Sequence, residues 1–136
     1  MNKKDKIREL LLSAHEYHKK NLLEKAKKKY ISALKLDNKN FEAHNNLGVI
    51  YNQLGEIQKA IECYKSSVLH NSNFIKGHSN LALNYYNIGD LKNSYVHHKK
   101  YLILRSINTV TSSKKDDVIS DLVKKLQNQN HVPTFF

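Results

Sequence analysis

The stretch HNNLGVIYNQLGEIQKAIECY, residues 44–64, decides how this chain folds. Leu47, Ile50, Tyr51 and Leu54 recur at intervals of three and four, which puts them on one face of a helix. Ile57, Ala60, Ile61, Tyr64 and Val68 repeat that spacing immediately afterwards. Between the two runs stands Gly55, a residue type that tolerates the left-handed conformation ending a helix. Small residues, Gly48 on the first run and Ala60 on the second, let two antiparallel helices approach closely.

The same pattern recurs when the chain is shifted by 34 residues in either direction. Tyr17, Tyr51 and Tyr85 form one column, and Ala14, Gly48 and Ala82 a second. Ala26, Ala60 and Ser94 form a third, Asn21, Gly55 and Gly89 a fourth, and Tyr30, Tyr64 and His98 a fifth. The repeats run 7–40, 41–74 and 75–108. A single helix pair cannot bury its apolar face, so stacking of neighbours is obligatory. With 4 Gly and 1 Pro there is little turn chemistry for an all-β fold.

These columns resemble the tetratricopeptide repeat family, whose pattern is Trp-x-x-Leu-Gly-x-x-Tyr, then Ala, an aromatic, Ala and Pro. The second repeat supplies His44, Leu47, Gly48, Tyr51, Ala60, Tyr64, Ser67 and Ser72 at those places. The third supplies His78, Leu81, Ala82, Tyr85, Ser94, His98, Tyr101 and Ser106. The first supplies Leu10, Ser13, Ala14, Tyr17, Ala26, Tyr30, Ala33 and Asn38. The proline column is therefore Asn38, Ser72 and Ser106, residue types that can cap the following helix. The resemblance implies an all-α fold: a right-handed superhelical solenoid of three helix-turn-helix repeats closed by a C-terminal solvating helix.

Outside the repeats, residues 1–6 read as a charged N-terminal extension. Residues 109–130 read as a linker and capping helix, with Ser113 and Asp116 as a capping box and Val118, Ile119, Leu122, Val123 and Leu126 on one face. Residues 131–136 read as a loose tail ending in Phe135 and Phe136. The single cysteine, Cys63, excludes an internal disulfide, and no apolar run approaches a membrane span. A soluble, cytoplasmic protein is the expectation.

In the family the first helix of each repeat lines a concave groove that binds an extended peptide or a helix. Helix periodicity assigns to that groove Arg8, Leu12, His15, His18 and Lys19, then Asn45, Asn46, Val49, Asn52 and Gln53, then Lys76, Ser79, Asn80, Leu83, Tyr86 and Asn87. The surface is amide-rich, and amides pair with a peptide backbone whatever its side chains. One subfamily holds acidic chaperone tails through a two-carboxylate clamp. Asn46 and Lys76 match it, while Leu11, His15 and Asn80 replace its remaining Lys, Asn and Arg, which removes two of three cations.

The formal net charge is +11, almost entirely from lysine. Lys25, Lys27, Lys28, Lys29 and Lys35 crowd one helix, with Lys19 and Lys20 nearby. Such a patch suits a nucleic acid or another acidic surface, though it lacks the interleaved aromatics and arginines of single-strand binders. His15 and His18 are three apart without a third ligand, and His97 and His98 are adjacent, so no metal site is expected. Nor do paired carboxylates, a phosphate loop or a Ser-His-Asp grouping stand out, so neither a cofactor nor catalysis is expected. The expected role is a protein-interaction module, an adaptor or scaffold. Electrostatic binding through the lysines, or service as a regulatory piece of a larger complex contacting through Phe135 and Phe136, are the alternatives.

Overall fold

A computed structural model describes residues 1–109 together with Asp121, Lys124 and Lys125. The expected capping helix and the 131–136 tail otherwise lie outside the described residues. The described residues form six helices in two compact units, Met1–Ser72 and Asn73 onward.

The first unit holds α1 (Lys3–Lys19), α2 (Leu23–Leu36), α3 (Phe41–Gln53) and α4 (Ile57–His70). Residues 3–6 belong to α1 and are no separate extension, because Asn2 caps the helix: its Oδ1 accepts from the Asp5 amide at 2.8 Å. The pairs α1/α2 and α3/α4 pack side by side, and α2 also packs on α3. Ala14, Ala26, Tyr30, Ala43, Leu47 and Ile50 form one buried cluster. Gly48 sets the close approach of the second pair: a Cβ there would lie 2.6 Å from the Tyr64 ring. Ser67 is fully buried on α4 and donates from Oγ to the Phe41 carbonyl at 2.8 Å, a bond that offsets the desolvation of its hydroxyl.

The second unit holds α5 (Ile75–Asn87) and α6 (Leu91–Thr109). Leu81, Ala82, Ser94 and Leu104 are buried. Ser94 takes the place of a small alanine and satisfies its hydroxyl on the Ala82 carbonyl at 2.9 Å. Helix α6 runs through Ser106 without a break.

The three turns within the helix pairs are built alike. Asn21, Gly55 and Gly89 have φ of 59°, 78° and 83°. Leu22, Glu56 and Asp90 each return an amide bond, at 2.9, 2.8 and 2.9 Å, to the carbonyls of Tyr17, Tyr51 and Tyr85. That is the Schellman arrangement, which closes the helix end on its own backbone. The helix starts differ from expectation. Asn40, not Asn38, caps α3, accepting from the Ala43 amide at 3.0 Å. Phe74 stands at the start of α5 and has no side-chain cap to offer, so Ser72 is too early for that role.

Candidate functional site

Helix α1 presents Arg8, Leu12, His15 and Lys19 on one exposed face, with Leu12 62% accessible. On α3 the 100° step per residue groups Asn46, Val49 and Gln53 on one side. The two helices are joined across this side by His18 Nε2 and Gln53 Oε1, 2.7 Å apart. At the other end a recess of about 120 Å³ opens between Leu11, His15, Tyr30, Glu42 and Asn46. The Asn46 side chain is hydrogen-bonded to the Tyr30 hydroxyl, which opposes the upward pull of burial on that phenol. Asn46 is thereby oriented while remaining partly accessible. Such a face can pair with a peptide backbone and offer exposed basic groups to an acidic segment.

Two of the expected groove residues on α3 serve the fold. Asn45 is only 4% accessible, so it is not available to a ligand; it sits on the flank of α3 that packing covers. Asn52 shares that flank and donates from Nδ2 to the Tyr64 hydroxyl at 3.1 Å. Burial pushes the Tyr64 phenol up to about 12, with the Asn52 bond opposing. On α5 of the second unit, Lys76, Leu83 and Asn87 are exposed, and Ser79, Asn80 and Tyr86 are half-buried.

Other groups singled out in the sequence have structural partners. His44 stacks on His70 at 5.6 Å between centroids and bonds the Asn38 carbonyl through Nε2 at 2.8 Å. His78 and His97 stack at 5.4 Å with their Nδ1 atoms 3.1 Å apart, and Tyr85 stacks on His97 at 5.8 Å. Burial, with His78 adding to it, brings the His97 imidazole down to about 4, so it is neutral at physiological pH. Among the described residues no three His, Cys, Asp or Glu side chains gather as metal ligands would. Burial raises the Cys63 thiol to about 12, which keeps it protonated and poorly nucleophilic. The lysine patch on α2 is partly folded back on the protein. Lys27 pairs with Glu24 at 2.8 Å, and Lys25 lies over the Tyr17 ring at 5.6 Å from its centroid.

Sequence reasoning missed a broad apolar concavity of the first unit. It has a volume of about 660 Å³ and lies between α2 and α4, floored by His44, Leu47 and Tyr51 of α3. Its sequence signal, Ile31 and Leu34 one turn apart on a lysine-rich helix, is the same signal a buried face gives.

Residues 14–55 match the family described as TPR repeat, and residues 41–74 match the tetratricopeptide repeat. The chain carries tetratricopeptide repeats. Solved tetratricopeptide domains share its fold. The first TPR of Spaghetti (RPAP3), bound to the HSP90 peptide SRMEEVD, superposes with a TM-score of 0.71 at 16% identity, over 91% of this chain and 95% of that one. The Arabidopsis OM64 TPR domain gives 0.73 at 15% identity, over 93% and 98%. The TPR2B domain of yeast Sti1, in a complex with pHsp70, gives 0.71 at 18% identity, over 92% and 98%. No curated protein sequence matches the chain. Among the described residues no helix of this tetratricopeptide repeat protein is long and apolar enough to cross a membrane.

Proposed function

We propose that this chain is a protein-interaction module that holds an extended peptide or a helix on the first helices of its repeats. The observation that carries the reading is the α1/α3 face. It has an oriented Asn46, an apolar contact at Val49, the His18–Gln53 bridge and exposed basic side chains. The adaptor or scaffold role is supported by solved tetratricopeptide domains that hold peptides. Two of the similar structures carry acidic or chaperone-derived partners, which supports a peptide ligand of that general kind. With Leu11 and Asn80 where clamp cations would stand, the preference for carboxylates is weak and backbone pairing does more of the holding.

The test uses fluorescence anisotropy with a panel of extended peptides, acidic and neutral, SRMEEVD among them. The expected result is binding that weakens as salt rises for the acidic members and is lost in a folded Asn46→Ala variant. Undiminished binding by that variant would contradict the assignment of this amide.

A further inference from the structure

We propose that the groove between α2 and α4 is a second docking site, and that its occupant is an amphipathic helix of a partner protein bearing an acidic residue beside its apolar face. The inference is independent of the peptide-binding face described above. His44, Leu47 and Tyr51 floor the groove from one side of α3, while Asn46, Val49 and Gln53 look out from the other.

The shape argues for a helix. The groove is open to solvent along its length, so a small amphiphile would leave much of its surface wet, whereas bound small molecules are mostly enclosed. Its α4 wall runs from Gln58 to Ser66. That span is about 12 Å at 1.5 Å per residue, long enough to meet the i, i+3 and i+7 side chains of a docked helix. Ile31, Leu34, Leu47 and Cys63 supply the apolar contacts.

The charge argues for an acidic flank. Glu62, the one carboxylate among the described residues lining the groove, is already met by Lys65 at 3.7 Å. Lys59 lies against Glu56 at 3.6 Å and over the Tyr51 ring at 5.6 Å from its centroid. Lys35 also lines the groove, at the end of α2, is exposed, and has no ion-pair partner among the described residues. An apolar trough with an uncompensated ammonium at its edge complements an apolar helix face with a carboxylate next to it.

The test titrates the full chain, followed by amide and methyl NMR, with two short synthetic helical peptides. Both carry Leu at i, i+3 and i+7; one has Glu beside that face and the other Lys. Laurate serves as a small amphiphile. The Glu peptide is expected to shift the Ile31, Leu34 and Leu47 resonances and to bind about fivefold more tightly than the Lys peptide. Lys35→Glu, an exposed change that leaves the core alone, is expected to reverse that preference, and Leu34→Ala to weaken both peptides. The proposal is overturned if neither peptide moves these resonances, if Lys35→Glu leaves the preference as it was, or if only laurate binds.

Discussion

Gly48 shows how one missing side chain sets the spacing of a helix pair. In an exposed helix interior, replacing Gly by Ala gains about 1 kcal/mol. Here the new methyl would meet the buried Tyr64 ring at 2.6 Å, and overpacking of that kind costs about 1–3 kcal/mol. Gly48→Ala is therefore expected to be a net loss of up to about 2 kcal/mol in urea denaturation; a raised midpoint would show that Tyr64 gives way freely. Gly55 differs, because open space surrounds the position and only its φ of 78° resists a side chain. Gly55→Ala is expected to cost about 1 kcal/mol and Gly55→Asn distinctly less, as Asn21 already lives at a φ of 59° in the equivalent turn. These columns were legible because each admits so few residue types. Asn45 was not legible: an amide on a helix looks the same whether it faces a ligand or a buried flank, and only the packed neighbour tells them apart.

At the scale of the element, the type and periodicity of the helices could be read from apolar spacing, whereas their starts could not. Asn38 and Asn40 are both competent caps, and the choice between them rests on α3 starting at Phe41, which puts Asn40 within reach of the Ala43 amide. The α5/α6 pair adds a pH dependence that the sequence hides. His78 and His97 look like two ordinary histidines, yet their Nδ1 atoms meet at 3.1 Å in a buried setting. With His97 brought down from 6.5 to about 4, the unfolded chain binds this proton and the folded one does not within that window. Stability contributed by neutral His97 is thus complete above pH 6.5 and is lost as pH falls toward 4, by up to about 3 kcal/mol, with no further loss below. Urea midpoints across this range should fall with acid in the parent and much less in His97→Phe. Equal slopes for the two proteins would mean that other groups carry the effect.

For the molecule as a whole, the family and the all-α repeat fold follow from columns that three successive helix pairs repeat. The +11 charge contributes nothing to that assignment. The charge matters for partners, and the structure divides it: Lys25 and Lys27 are drawn onto tyrosine rings, while Lys35 is left at the edge of an apolar groove. Function was less legible than fold, since repeat proteins share a framework and differ in the few residues that face outward. The central claim is that α1 and α3 hold the partner on the Asn46 side. The most direct check is chemical-shift mapping of the intact chain against the extended-peptide panel. The account predicts perturbations centred on His15, Asn46, Val49 and Gln53, with Leu47 and Tyr51 quiet. Perturbations confined to the lysines of α2, or none with any peptide, would contradict it.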